Sequence, residues 1–193
     1  MNLAARRFSI LLLILALSIG FGFAFDAAAE AIERKRYPLV EEYAALISDY
    51  AEEFGVPEAV IWATVRTESG FASNAVSDDG EVGLMQLTPS DMEAIFQNIL
   101  REDAPDAGLL YDPKTNLRLG AARLSSLYEQ YGAWDTVFAA WHAGTVAVDG
   151  WLSDPSNLNE WGSLERIPNK ETDAFVSDLR RSVKFYTSLY YEA

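Results

Sequence analysis

The sequence predicts an all-α domain that follows an apolar N-terminal segment. Beyond residue 37, apolar side chains recur at helical spacing in most segments. Glycine, proline and aspartate stand at the ends of these segments, where they suit helix starts and stops. No run alternates apolar and polar residues over a useful strand length. With 193 residues, 50% of them hydrophobic, the chain fits one ordinary domain and a short appendage.

The appendage is an uncharged, leucine-rich run over residues 8–25 that follows Arg6 and Arg7. A basic flank before an apolar core is typical of a secretory signal, and small residues allow cleavage near Ala29. The run is also close to the lower limit for crossing a bilayer, so an uncleaved single-pass anchor is the alternative. Both alternatives take the rest of the chain out of the cytoplasm, with the arginines inside.

This division sets the predicted domain organisation. Residues 1–29 are a signal peptide or signal anchor, residues 30–36 are a short charged linker, and residues 37–193 are the domain. The domain shows neither an internal repeat nor a low-complexity stretch. We therefore expect one compact helical unit after the linker.

The first two helices of the domain are predicted over residues 38–54 and 57–69. Gly55 suits the end of the first helix, and Pro57 suits the first turn of the second. Gly70 ends the second helix, and a loop rich in glycine and aspartate follows it. The chain thus turns sharply just after a helix that ends in Glu-Ser.

Four further helices follow. They are predicted from Thr88-Pro89 to a loop at residues 102–110, and over residues 112–131, 134–143 and 171–190. Residues 145–168 are predicted to be irregular, with a short hairpin as the alternative. Trp151 and Trp161 lie in this region and are candidates for the wall of a cleft.

Composition excludes several chemistries. The chain has no cysteine and one histidine, which excludes disulfide frameworks, thiolate nucleophiles and His-rich zinc sites. Its 29 acidic and 15 basic residues give a net charge of −14, which argues against nucleic acid as a partner. Carboxylate chemistry remains, and we predict neither a metal nor a cofactor.

Glu68 is the carboxylate that the helical pattern singles out. It shares a face with Ile61 and Val65 and lies in the last turn of its helix. Burial and the negative end of the helix dipole both disfavour its charge, which would raise its pKa towards that of a general acid working near neutrality. The alternative from periodicity alone is an ordinary exposed glutamate at a frayed helix end.

Four short motifs, taken in order, resemble the soluble lytic transglycosylase family, which belongs to the lysozyme-like superfamily acting on peptidoglycan. They are Glu68-Ser69-Gly70-Phe71; Ser77 with Gly83-Leu84-Met85-Gln86-Leu87; Ala140-Trp141-His142-Ala143-Gly144; and Ile167-Pro168 with Glu171-Thr172 and Phe175. The resemblance covers roughly residues 38–190. It implies a lysozyme-like helical domain with a substrate cleft, located in the extracytoplasmic envelope of a bacterium.

The resemblance also implies roles for the motif residues. Glu68 would be the single acid/base that cleaves the MurNAc-GlcNAc β-1,4 bond of peptidoglycan glycan strands without water, leaving a 1,6-anhydromuramoyl end. The other motif side chains would bind substrate, with Met85 more a core residue that frames the site. This substrate-binding set is Ser77, Met85, Gln86, Trp141, His142, Glu171 and Phe175.

The sequence departs from the family pattern at three places. Glu81-Val82 replaces the usual small residue before Gly-Leu-Met-Gln, Trp141-His142 replaces the usual Tyr-Asn, and Phe175 replaces a tyrosine. The last two departures leave open a non-catalytic peptidoglycan-binding module. A lysozyme-type hydrolase on the same fold is the other alternative, and it would need a carboxylate that positions water. Asp78, Asp79 and Glu81 lie in the right loop, where solvated side chains are expected.

Overall fold

The computed structural model describes the backbone of residues 3–192 and the side chains of residues 17–192. The chain divides into two compact units, residues 1–38 and 39–193. The first unit contains one helix, α1 (Leu3–Arg36), so residues 30–36, predicted as a linker, continue as helix. Glu30 and Arg34 form an ion pair of 2.8 Å one turn apart, which favours helix in this charged stretch.

Among the residues whose side chains are described, no helix is long and apolar enough to cross a membrane. The predicted apolar segment, residues 8–25, lies partly outside this set, because the side chains of residues 1–16 are not described. The signal peptide, the anchor and cleavage near Ala29 therefore stay predictions.

The second unit is built from helices and turns. Its helices are α2 (Glu41–Phe54), α3 (Glu58–Ser69), α4 (Pro89–Ile95), α5 (Pro113–Tyr131), α6 (Trp134–Ala143), α7 (Thr145–Leu152) and α8 (Lys170–Tyr186). Two π-helical turns, Phe96–Leu100 and Thr187–Tyr191, extend α4 and α8. Over residues 3–192, β-structure is limited to three isolated bridges. The all-α prediction is confirmed.

Helix α7 differs from the predicted irregular region. The helix begins directly after Gly144, whose φ is +81°. It has no side-chain cap, and its one buried residue is Val148. A short helix with so little buried surface leaves no apolar stripe in the sequence. The hairpin alternative is reduced to one bridge between Leu158 and Leu164.

Helix α3 lies at the centre of the unit. It packs against α8, and α6 in turn packs against both α5 and α8. Seven consecutive residues of α3, from Ala59 to Val65, are buried, as expected for a helix surrounded by protein. The last turn of α3, which carries Glu68, therefore emerges directly from the core.

Asn116 of α5 fixes the loop that follows α3. Its Nδ2 donates to the carbonyl oxygens of Val82 and Leu110, each at 2.9 Å, and its Oδ1 accepts from the Met85 N–H at 2.7 Å. A Cβ at Gly83 (φ +82°) would overlap Asn116 Nδ2, and one at Gly120 would overlap Met85 Sδ. The two glycines thus allow the loop to lie directly on α5.

We expect Asn116→Ala to lower the free energy of unfolding by about 3 kcal/mol, because three buried backbone groups lose their partner. Urea unfolding monitored by circular dichroism measures the change. Asn98→Ala removes an exposed amide and should stay within about 0.5 kcal/mol of the parent protein. Equal losses in the two variants would contradict this account of the loop.

Candidate active site

The carboxyl group of Glu68 lies in the last turn of α3 and is largely buried. The indole Nε1–H of Trp141 donates to its Oε1 at 2.6 Å. Desolvation by burial, aided by the charge of Glu81, raises the pKa of Glu68 to about 7, against the opposing effects of the Trp141 hydrogen bond and the Arg123 charge. A carboxyl group with this pKa can both give and take a proton near neutral pH.

Ser69 ties the end of α3 to the loop. Its Oγ–H donates to the Leu84 carbonyl oxygen at 2.8 Å, and the Oγ lies 3.1 Å from the Val65 carbonyl oxygen. Gly70 takes a left-handed conformation (φ +57°) and ends the helix one residue later. These contacts hold the Glu68 backbone and the loop in one arrangement.

Gln86 stands at the inner edge of the loop with a positive φ of 46° and is 8% exposed. Its Nε2 donates to the carbonyl oxygens of Gly83 at 2.8 Å and Ala75 at 3.3 Å. Because both amide hydrogens are used within the loop, Oε1 is the atom left to contact a ligand.

A cleft of about 630 Å³ opens beside Glu68, within the range of small-molecule sites. Residues from the loop and from α3, α4, α5, α6 and α8 line it: Thr67, Glu68, Asp79, Glu81, Gln86, Asp91, Arg123, Trp141, His142, Ala143, Gly144, Glu171 and Phe175. In the described part of the chain, no three His, Cys, Asp or Glu side chains group as metal ligands would.

The structure brings six of the predicted site residues together in this cleft and leaves two outside its lining. Met85 is completely buried against Gly120, in keeping with its expected place as a core residue that frames the site, and its contact with substrate stays a prediction. Ser77 accepts from the Glu81 N–H at 3.1 Å and donates to the Glu81 carboxylate at 3.2 Å, which fixes the turn. The candidate wall residues Trp151 and Trp161 are likewise not among the lining residues described.

Trp141 and His142, the two departures in the third motif, have different surroundings. Trp141 is 6% exposed, so it contributes its N–H to Glu68 rather than an open face for sugar stacking. His142 is exposed, with its Nδ1 3.1 Å from Thr172 Oγ1 and its ring centroid 4.6 Å from that of Phe175. Glu171 is exposed in the first turn of α8, where the helix dipole favours a carboxylate.

Arg123 is the main site residue that the sequence analysis missed. Its guanidinium lies 4.6 Å from the centroid of the Trp141 ring and 3.3 Å from the Asp91 carboxylate. A signal was present in the spacing: Asn116, Gly120 and Arg123 follow at i, i+4 and i+7 and share one face of α5. In isolation, an arginine on an amphipathic helix is indistinguishable from one on a solvated face.

The central helix α3 is surrounded by other helices and ends in a buried glutamate beside a cleft. This arrangement is that of a lysozyme-like helical domain. Comparison with known families makes the class specific. The model of the transglycosylase SLT domain matches residues 45–163, which is more than half of the chain. The protein therefore belongs to the transglycosylase SLT domain family.

Its curated relatives are longer proteins. The chain is 28% identical over 155 residues to the soluble lytic murein transglycosylase of Escherichia coli (strain K12), covering 79% of this chain and 24% of that protein. It is 35% identical over 91 residues to the membrane-bound lytic murein transglycosylase C of Yersinia enterocolitica, covering 47% of this chain and 25% of that protein. The chain thus spans about a quarter of the length of the relatives it matches.

Solved structures share the fold. An inactive glutamate-to-glutamine mutant of lytic transglycosylase Slt from Pseudomonas aeruginosa matches with a TM-score of 0.71 and 31% identity, covering 80% of this chain and 25% of that one. The 70-kDa soluble lytic transglycosylase of Escherichia coli matches with a TM-score of 0.74 and 26% identity, covering 83% and 26%. The same enzyme is also known in complex with bulgecin A.

Because folding raises the pKa of Glu68, the stability of the folded protein depends on pH through this residue. Folding raises this pKa from 4.5 to about 7, so the Glu68 contribution to stability is fully present below pH 4.5 and is lost as the pH rises through 7. We expect Glu68→Gln to exceed the parent protein in unfolding free energy by about 3 kcal/mol at pH 8.5 and to match it near pH 4. Urea unfolding at the two pH values measures the difference.

Glu129→Gln is the matched control, since Glu129 is exposed near the end of α5. It should show no comparable gain at pH 8.5. If Glu68→Gln is no more stable than the parent protein at pH 8.5, burial does not destabilise the ionised Glu68 carboxylate as we infer.

Proposed function

We propose that the protein is a peptidoglycan lytic transglycosylase that cleaves the MurNAc-GlcNAc β-1,4 bond and leaves a 1,6-anhydromuramoyl end. The observation that carries the proposal is the Glu68 carboxyl group, with a pKa of about 7, facing a cleft of about 630 Å³. The relatives' names support the activity. The inactive glutamate-to-glutamine mutant of the Pseudomonas aeruginosa enzyme supports the use of a glutamate.

In the proposed reaction, Glu68 acts first as an acid and then as a base. It gives its proton to the glycosidic oxygen as the bond from that oxygen to C1 of MurNAc breaks, and the GlcNAc 4-hydroxyl leaves. The N-acetyl group of the substrate stabilises the positive C1. The Glu68 carboxylate then takes the proton of the MurNAc C6 hydroxyl as O6 bonds to C1. Glu68 is again protonated, and no water is consumed.

Two of the other carboxylates that line the cleft, Asp91 and Glu81, support a mechanism with one acid/base. Most glycosidases pair the acid with a second carboxylate that acts as nucleophile or activates water. Asp91 accepts from Thr88 N–H and Oγ1–H and pairs with Arg123, while Glu81 is hydrogen-bonded to Ser77. These carboxylates already have partners within the protein.

A lysozyme-type hydrolase is the second candidate, because Asp79 and Glu81 both line the cleft. Asp79 would serve as the base for an attacking water, and Glu81 would do so if it were released from its hydrogen bond with Ser77. The two candidates differ in product: hydrolysis leaves a reducing muramic end, whereas the transglycosylase leaves the anhydro ring.

We further propose that the protein works in the extracytoplasmic envelope, on glycan strands of peptidoglycan. Residues 8–25 would anchor it there, or cleavage near Ala29 would release it. The name of the membrane-bound Yersinia enterocolitica relative supports an envelope location.

The first test is product analysis of digested sacculi by mass spectrometry. We expect anhydromuropeptides from the parent protein and a rate at least a hundredfold lower for Glu68→Gln, because that variant cannot transfer a proton. Glu129→Gln should leave the rate unchanged. Reducing muramic ends would favour the hydrolase, and binding to sacculi without turnover in the parent protein would favour a non-catalytic module.

The second test is the pH dependence of kcat/KM. Glu68 must be protonated to act as the acid, so we expect the rate to fall as the pH rises above about 7. Glu81→Gln should move this alkaline limb to lower pH, since it removes a neighbouring negative charge that raises the Glu68 pKa. The limb should persist in His142→Asn; its disappearance would assign it to the histidine instead.

A further inference from the structure

Arg123 contacts three groups at once: the ring of Trp141, the carbonyl oxygen of Trp141 and the Asp91 carboxylate. Its guanidinium lies over the face of the Trp141 indole, with Cζ 4.6 Å from the ring centroid. Its Nη2–H donates to the Trp141 carbonyl oxygen at 3.3 Å, and its Nη1 lies 3.3 Å from Asp91 Oδ1. Among the described residues that line the cleft, it is the one arginine or lysine.

Asp91 gives Arg123 a fixed anchor. It is part of the capping box at the start of α4, in which its Oδ2 accepts from Thr88 N–H at 2.9 Å and Thr88 Oγ1–H at 2.7 Å. Its own N–H donates to Thr88 Oγ1 at 3.0 Å. Because Oδ2 serves the helix cap, Oδ1 stays in place for Arg123.

Arg123 contacts both the ring and the backbone of Trp141. Trp141 lies two residues before the end of α6, and its Nε1–H donates to Glu68 Oε1 at 2.6 Å. A planar guanidinium that stacks on the ring and also donates to the backbone of the same residue restrains both the ring and its attachment.

We propose that Arg123 is a positioning residue, which stacks on Trp141 and binds Asp91 so that the indole N–H stays on the Glu68 carboxylate and the acid points into the cleft. The consequence for catalysis rests on the proposed function. The arrangement itself belongs to the free protein and is testable without substrate.

The alternative is that Arg123 acts on Glu68 by its charge alone. Its positive charge lowers the pKa of Glu68, and the charge of Glu81 raises it. Asp79 from the loop, Asp91 from α4, His142 from α6 and Glu171 from α8 are the other titratable groups facing the same cleft. A charge effect would survive replacement by lysine and would not need Trp141, whereas positioning needs both the planar fork and the indole.

The test compares Arg123→Lys, Arg123→Met, Trp141→Phe and the Arg123→Met/Trp141→Phe double variant by NMR. Arg118→Met is the matched control, since Arg118 lies on the same helix and pairs with Glu53 and Glu102 instead. One readout is the hydrogen exchange of the Trp141 indole N–H, assigned by its loss in Trp141→Phe. The other is the titration of the Glu68 carboxyl carbon, assigned by its loss in Glu68→Gln.

We expect the indole N–H to exchange at least tenfold faster in Arg123→Lys and Arg123→Met, and at the parent rate in Arg118→Met. The Glu68 pKa should rise in both Arg123 variants, because each loses the Trp141 hydrogen bond. In the Trp141→Phe background, Arg123→Met should raise the Glu68 pKa by less than half the rise that it causes in the parent protein. On sacculi, kcat should fall about tenfold in Arg123→Lys with KM little changed.

Unchanged indole exchange in Arg123→Lys would overturn the proposal. So would a Glu68 pKa that rises equally with and without Trp141, since that result assigns the effect to charge. If Arg123→Met does not fold, Arg123→Lys decides: lysine keeps the positive charge, so faster indole exchange together with a raised Glu68 pKa supports positioning, and no change in either overturns it. The expected shifts in a protein that never cleaves sacculi would overturn the proposed function and leave the positioning role standing.

Discussion

The site depends on one constraint: a carboxyl group must be kept out of bulk water while it still faces a cleft. Helix α3 meets the first half of this requirement, because it is surrounded by other helices and its last turn rises straight from the core. Trp141 meets the second half, since its N–H holds the Glu68 carboxylate from one side and leaves the other open. The pKa of about 7 follows from that balance of burial and hydrogen bonding.

Much of the remaining structure supports this arrangement. Asn116 binds three backbone groups of the loop and the turn next to it, and Gly83 and Gly120 let the loop lie close to α5. Buried side-chain hydrogen bonds of this kind favour one loop conformation, because any other conformation would leave buried backbone groups without a hydrogen-bond partner. The same helix also carries Arg123 to Trp141, so one face of α5 contacts both the loop and Trp141.

The departures from the family pattern gain a physical interpretation. An indole in the third motif keeps a donor for the glutamate, and Arg123 covers its face. His142 occupies the exposed end of the same motif, packed on Phe175 and close to Thr172. Trp141, His142 and Phe175 therefore all line the cleft that Glu68 faces.

The sequence by itself determined the helical class, the bounds of α2, α3, α5 and α6 to within a few residues, and the position of Glu68 in the last turn of α3. It did so because helix caps, stops and apolar stripes are local patterns. It missed α7, in which Val148 is the one buried residue, and it missed Arg123, whose partners lie on α4 and α6. Only the tertiary structure decided that Trp141 contacts Glu68, which is 73 residues away in the sequence, and that Arg123 contacts Trp141, which is 18 residues away. A pattern along one helix reports which face is buried, whereas the residue it meets there is set by how the helices pack.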